Sequence, residues 1–473
     1  MPDSTHTRTA CSSSRRRLLL IAMLGIFIGA LSFNSMLRKW REPARFDQVR
    51  FQVLSSEIMQ QTLSVVDLRD NMASSLYYLH IQPPAFDFLR AVIAKTYSFF
   101  QPAGSDLELV QSVDSSLYSV NAVIFGSIAA LSFYWLWRMT SPGLALVATV
   151  LLLLHPGMIY YSTFLDGTFL SSAFFLLYFV VLWRCLAGHG SPSLLAVCTL
   201  LLFFTRSIFQ WPFVLVTAVS LVVGGLPWPA VRRFLVVAVP IVVLFMVKQY
   251  LLFGLTVSTS FAGLSLSHTV DLFPQYEANP RLLNPQYDSL NLPPALKRRK
   301  KVNGAVNLNH ISFLQYNREL LASATAKLWT EDAFVQLNRY WQSMCCYFLP
   351  SSRYSAHTIV DVLPWRGWYD FIFSAERLVM LLLFALFLWF AASRGQDRCR
   401  GVAMALPMLF VFAISILFDR GENMRFKWFV EPVLFIFLVT RFHALWACCR
   451  PPVLPGKRVP SLELSGDIPL SIC

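Results

Sequence analysis

Charge is scarce in this sequence. Only 14% of its 473 residues are Asp, Glu, Lys or Arg, while 56% are apolar. A soluble chain of this length needs far more charge to coat its surface. No P-loop, no G-x-G-x-x-G fingerprint and no zinc-spaced Cys/His set occurs, so no nucleotide or zinc function is written as a motif. Repeats of fixed period are missing as well, which excludes a solenoid or propeller. The nine cysteines give no disulfide framework. Most lie in apolar runs or beside them, and the adjacent pair Cys345 and Cys346 is sterically ill suited to bridging.

What is present is a series of apolar runs long enough to cross a bilayer. They fall at about 17–34, 118–137, 142–159, 163–183, 192–205, 208–226, 234–253, 376–393, 401–418 and 428–447. The expected fold is therefore an all-α polytopic membrane protein with about ten transmembrane helices. The net charge of +14 could suggest nucleic acid in a soluble protein. Here the basic residues sit mostly in short loops, where they set orientation. Arg15, Arg16 and Arg17 precede the first run and place the N-terminus inside. Counting onward puts Arg138, Arg184, Arg232, Arg233, Arg394, Arg398, Arg400 and Arg450 on the same side. The first run reads as a signal anchor, although its Arg15–Arg16 pair resembles a twin-arginine signal.

This count divides the chain into a cytoplasmic tail (1–16), a module of seven spans (17–253) that includes an outer loop (35–117), a long outer loop (254–374), three further spans (375–447) and a second tail (448–473). Two helical patterns in the first outer loop are too polar to span. One carries Phe51, Leu54 and Ile58. The other carries Phe86, Leu89, Ile93, Tyr97 and Phe100 opposite Asp87, Arg90, Lys95 and Ser98. Both are expected to be interfacial helices. The second outer loop is Pro- and Asn-rich through 274–294, and then helical from Asn309 through Tyr347.

Ionisable residues at membrane depth are costly and are functional candidates. Asp47 follows the first span, where it could equally be a solvated loop acid. Asp166 enters a span and could equally be a helix N-cap. His80-Ile81-Gln82-Pro83-Pro84 opens the second interfacial helix, where proline suits a first turn. Glu422, Arg425, Lys427 and Glu431 crowd the start of the last span, against the positive-inside trend. Arg206 ends another span and could be snorkelling. By the topology count, Asp47, His80, Asp166, Arg206 and Arg425 reach one face. Carboxylates beside cations suit transfer from a phosphate-linked donor, because a carboxylate takes the acceptor proton and arginine stabilises the departing phosphate.

At these residues the chain resembles the GT-C superfamily of polyprenyl-phosphate-dependent glycosyltransferases, especially the protein O-mannosyltransferase and lipid A aminoarabinose transferase branch. The resemblance rests on an acid after the first span (Asp47), a Pro-Pro pair opening an interfacial helix (Pro83, Pro84), and an acid after the third span (Asp166). The run from Glu422 to Phe426, with Glu431-Pro432, adds to it. Two departures are Gln48 where a second acid usually stands and Gln82 where some members have lysine. The resemblance implies a GT-C-like fold and an inverting transfer of one sugar from a polyprenyl-phosphate carrier to a glycan, lipid or protein acceptor on the outer face. It implies Asp47 as base, with Asp166 in support and Glu57 as a further carboxylate. His80, Gln82, Arg206, Arg425 and Lys427 become candidates for the donor phosphate. No metal or other cofactor is assigned. The last-loop motif favours a bacterial inner membrane, with the endoplasmic reticulum as the other setting. Two alternatives are a transporter or flippase of lipid-linked saccharide, and a non-catalytic membrane partner.

Overall fold

The computed structural model describes residues 5–41, 55–102, 104–272, 291–349, 351, 366–393, 398–418 and 423–448. In the first and fifteenth helices, side chains are described only at 14, 16–37 and from 378 on. Seventeen helices occur among these residues. They are α1 Thr5–Arg41, α2 Val65–Tyr77, α3 Ala85–Phe100, α4 Asp106–Met139, α5 Pro142–Leu153, α6 Pro156–Tyr161, α7 Gly167–Leu186, α8 Pro192–Thr205, α9 Trp211–Val223, α10 Trp228–Phe253, α11 Ala262–Thr269, α12 Pro294–Lys297, α13 Ile311–Thr330, α14 Ala333–Tyr347, α15 Arg366–Ala392, α16 Arg398–Phe418 and α17 Asn423–Cys448. The one β-feature among the described residues is an isolated bridge between Lys300 and Val306.

Six helices are long and apolar enough to cross a membrane: α1, α4, α7, α10, α16 and α17. Four shorter apolar stretches, 142–153, 192–205, 211–223 and 378–392, pack among them. By this length and composition the chain is an all-helical, multi-pass membrane protein. α17 lies at the centre of the bundle, against α4, α5, α7, α14, α15 and α16. α1 crosses α4 closely, because a Cβ at Gly126 would meet the Phe27 ring at 2.8 Å.

Several boundaries differ from the sequence reading, each for a local reason. α4 begins at Asp106, well before the expected 118. A capping box starts it: Ser105 accepts from the Glu108 amide at 3.3 Å, and Glu108 accepts from the Ser105 amide at 2.8 Å. The expected run 142–159 is two helices, α5 and α6, broken at His155-Pro156. The residue before proline is driven out of the helical region, and His155 sits at ψ 131. The run expected from 163 starts at Gly167, because Asp166 is its cap.

The first outer loop also requires correction. Ile58 lies in a turn, and the helix that precedes α3 is α2, beginning at Val65. Residues 51–54 lie outside the described residues. On α3 the expected polar face is solvated only in part: Lys95 is exposed, but Asp87 and Arg90 have no exposure. They are buried because they satisfy each other and Glu57, at 2.7 and 2.8 Å from Arg90. Most of the expected apolar face is covered by protein, with Phe86, Leu89, Ile93 and Tyr97 packed against Leu109, Val110, Val113 and Leu117 of α4. α3 also exposes Phe88, Val92, Phe99 and Phe100, the last of them from the expected apolar face.

The helical pattern expected from Asn309 through Tyr347 is a pair of helices, α13 and α14, divided at Glu331 and Asp332. α14 runs antiparallel to α16. Ser343 Oγ donates to the Ile416 carbonyl at 2.9 Å, and Tyr347 packs edge-on to Phe412 with centroids 5.0 Å apart.

Candidate functional site

Three helix ends converge on Asp166. Its own carboxylate caps α7, accepting from the Thr168 amide at 2.8 Å and from Thr168 Oγ1 at 2.6 Å. A negative charge at that position also suits the positive end of the helix dipole. α8 stops at Thr205, and Arg206, in extended conformation, turns its guanidinium back onto Asp166 Oδ2 and Thr168 Oγ1. From the start of α17, Arg425 brings Nη1 to 3.6 Å from the same carboxylate oxygen. All three residues are buried. Buried charges are tolerated only when paired, and Asp166 is placed to serve both arginines. Arg425 stands in the first turn of α17, where the helix dipole opposes a cation. The Asp166 carboxylate in front of it offsets that unfavourable placement.

A second polar layer follows along α17, with Lys427 about half a turn and Glu431 about one and two-thirds turns after Arg425. Lys427 Nζ and Glu431 Oε1 are 3.1 Å apart, an ion pair without hydrogen-bond alignment. Ser351 Oγ donates to Glu431 Oε2 at 2.6 Å, and Tyr161 donates to the Ser351 carbonyl at 2.8 Å. The Trp428 ring is stacked between His155 and Tyr161, with centroids 5.7 and 5.6 Å away. Gly157 makes room for this: a Cβ there would stand 2.6 Å from Trp428 and 2.8 Å from Ser351 Oγ. The indole N–H of Trp428 is buried and has no acceptor among the described residues.

The remaining candidates lie in two other clusters. Glu57 accepts from Ser64 Oγ at 2.9 Å and the Val65 amide at 3.2 Å, and it pairs with Arg90. Gln82 belongs to this cluster, donating to Asp87 Oδ2 at 2.9 Å. His80 forms a third centre. Its ring nitrogens lie 2.8 Å from Ser260 Oγ and 3.0 Å from the Asn309 carbonyl. Burial, helped by repulsion from Lys248 and His310, pushes its imidazole down to about 3, so it is neutral at ordinary pH. Asn309 completes the centre by accepting the His80 amide at 2.9 Å and donating to the Tyr78 and Ala295 carbonyls. Asp47 and Glu422 lie outside the described residues.

The structure thus brings Asp166, Arg206 and Arg425 together and sets Lys427 on the adjoining layer. It places His80, Glu57 and Gln82 where they join the first outer loop to itself and to the second. Sequence reasoning missed Thr168, Ser351, Tyr161, His155 and Trp428. His155 carried a signal, since it is a histidine before proline inside an apolar run. Lys301 was also missed. Its ammonium is buried, donating to the Met59 carbonyl and to Thr62 Oγ1 at 2.8 Å, and burial pushes it down to about 7. Among the described residues, no group of three or more His, Cys, Asp or Glu side chains is disposed to hold a metal ion. No protein-family model, no curated protein and no solved structure matches the chain.

Proposed function

We propose that this chain is a membrane glycosyltransferase that moves one sugar from a polyprenyl-phosphate-linked donor to an acceptor on the outer face, with inversion. The observation that carries the reading is the Asp166 cluster, where two arginines from separate helix ends meet one carboxylate. Arginine is the side chain best suited to a phosphate, through its fork of donors.

In the reaction, an acceptor hydroxyl or amine attacks the anomeric carbon from the side opposite the phosphate. The new bond forms as the carbon–oxygen bond to phosphate breaks, and the bonding pair leaves with the lipid phosphate. The acceptor proton passes to a carboxylate, a role assigned to Asp47. Arg206 and Arg425 hold the phosphate oxygens and stabilise the leaving charge. Asp166 is already occupied by Thr168 and Arg206, so it acts as a positioning residue for the guanidinium groups. Lys427 adds positive charge behind them. His80 and Gln82 make contacts that hold the outer loops, which leaves them outside donor binding in this mechanism. The lipid carrier cannot leave the bilayer, which accounts for an enzyme built into it. A bacterial inner membrane fits best, with the endoplasmic reticulum as the other setting.

The test is transfer from a panel of polyprenyl-phosphate sugars by the purified full-length protein. Asp47→Asn should lower turnover by about 10²–10⁴-fold. Arg425→Ala should also weaken apparent donor affinity. A folded Asp47→Asn protein that works at the wild-type rate would remove Asp47 from the mechanism.

One observation favours a second reading, transport of lipid-linked saccharide. The Lys427–Glu431 pair is ionisable and lies inside a candidate span. Translocation of a fluorescent lipid-linked saccharide across vesicles, without transfer of its sugar, would support that reading instead.

A further inference from the structure

A groove of about 470 Å³ lies where α10 ends, apart from the residues that make up the Asp166 cluster. The segment from Gly254 to Val257 forms one side. The other is one face of α13, on which Arg318, Leu321, Thr325 and Trp329 follow at helical spacing. The volume is in the range of small-molecule sites, roughly 300–1,000 Å³. Gly254 has a reason to be glycine on two counts. It closes α10 at φ 65, in the left-handed region. A Cβ there would also stand 3.3 Å from the guanidinium of Arg318, which lies against the backbone.

Arg318 is exposed and makes no ion pair among the described residues. Among the described residues, the lining of the groove contains no acidic residue. Leading up to it, Leu244, Val247 and Leu251 form an exposed apolar stripe on one face of α10, a helix long enough to cross a membrane. Tyr250 and Trp329 are exposed at the same end, as aromatic residues are at a membrane–water boundary. An apolar track thus runs from a membrane-facing helix surface into a cavity with one cation, Arg318, in its wall among the described residues.

We propose that this groove binds a phospholipid of the leaflet at that end of α10. The phosphate contacts Arg318, and an acyl chain lies along Leu244, Val247 and Leu251. An anionic headgroup fits better than a zwitterionic one, because among the described residues nothing acidic lines the groove to receive a quaternary ammonium. The occupant is a bulk phospholipid and not a lipid-linked sugar. One cation in an open groove does not discriminate a scarce donor, whereas two convergent arginines can.

Native mass spectrometry of the full-length protein in detergent tests this, with phosphatidylglycerol, phosphatidylcholine and undecaprenyl phosphate as separate probes. The wild type should retain phosphatidylglycerol in preference to the other two. Arg318→Gln should bind it roughly tenfold to a hundredfold more weakly, and Arg318→Lys should fall between. Ala322→Trp, on the groove face of α13, should block the site without removing the charge. Thermal unfolding confirms that each variant is folded. Three results would each overturn the proposal. One is phosphatidylglycerol binding unchanged in both Arg318→Gln and Ala322→Trp. The others are phosphatidylcholine binding as tightly as phosphatidylglycerol, and undecaprenyl phosphate displacing phosphatidylglycerol at lower concentration.

Discussion

Glu57 and Arg90 form an ion pair, carboxylate oxygen to guanidinium nitrogen at 2.8 Å, and neither side chain is exposed. Arg90 spends its other donors nearby, on Asp87 at 2.7 Å, Ser56 Oγ at 3.1 Å and the Leu63 carbonyl at 2.6 Å. The segment before α2 is thereby fastened to α3 through one side chain. The arrangement is costly to assemble and costlier to interrupt, since removing one partner strands a buried charge.

Arg90→Met is therefore expected to destabilise the protein by about 3–5 kcal/mol. Replacing Glu57, Asp87 and Arg90 together by apolar residues of similar volume should recover much of that loss. Thermal unfolding in detergent measures both, and an Arg90→Met protein as stable as wild type would show the cluster to be dispensable.

The His80 centre gives a pH dependence. Its folded-state pKa is lowered from 6.5 to about 3. Between those values the unfolded chain takes a proton that the folded chain refuses. Stability contributed by this site is thus intact above about pH 6.5 and is lost as pH falls toward 3. Unfolding temperature should drop more between pH 7 and pH 4.5 in the wild type than in His80→Gln. Equal drops would remove His80 as the source.

At the candidate site, Asp166→Asn tests charge apart from helix capping. Asparagine caps a helix about as well as aspartate, so α7 should form. The negative charge between Arg206 and Arg425 disappears, and transfer should fall by about 10²-fold or more. Asp166→Ala should lose the same activity and, in addition, about 1 kcal/mol of stability from the cap. Transfer by Asp166→Asn within a few-fold of wild type would mean that the arginines do not depend on this carboxylate.

Gly157→Ala places a methyl group where Trp428 and Ser351 already stand. Overpacking of this kind costs about 1–3 kcal/mol. The variant should unfold at lower temperature and transfer more slowly, because the layer carrying Glu431 must shift. A neutral Gly157→Ala would show that the Trp428 stack gives way freely.

Much of the helical framework was legible in the sequence because apolar runs persist for whole spans, as at 192–205, which coincides with α8. The interruptions were not. The break at His155-Pro156 is written in two residues within an apolar stretch, and hydropathy averages over them. Grouping of the site was legible only in part. Asp166, Arg206 and Arg425, which the topology count placed on one face, lie at helix ends that meet in the structure. Asp87 and Arg90 were misread, and the burial of His80 was not foreseen, because a polar residue on or beside an amphipathic helix is normally solvated. Whether it is instead buried depends on partners 229 residues away at Asn309, or in the turn that holds Glu57. No local spacing encodes such partners.

The helices that flank Arg206 are short, with 14 residues in α8 and 13 in α9. At about 1.5 Å per residue each spans about 20 Å, while a bilayer's hydrocarbon core is about 30 Å thick. If α8 and α9 each cross the bilayer, as the ten-span reading proposes, the hydrophobic mismatch falls on the lipid, which thins locally to meet them. A dimple on that side would draw headgroups inward toward the end of α8, where Arg206 stands. Under this mismatch, the proposed contact of a donor phosphate with Arg206 becomes a property of membrane thickness as well as of the protein. Bilayers of longer acyl chains should then hold the phosphate further from the guanidinium, and bilayers of shorter chains should bring it closer.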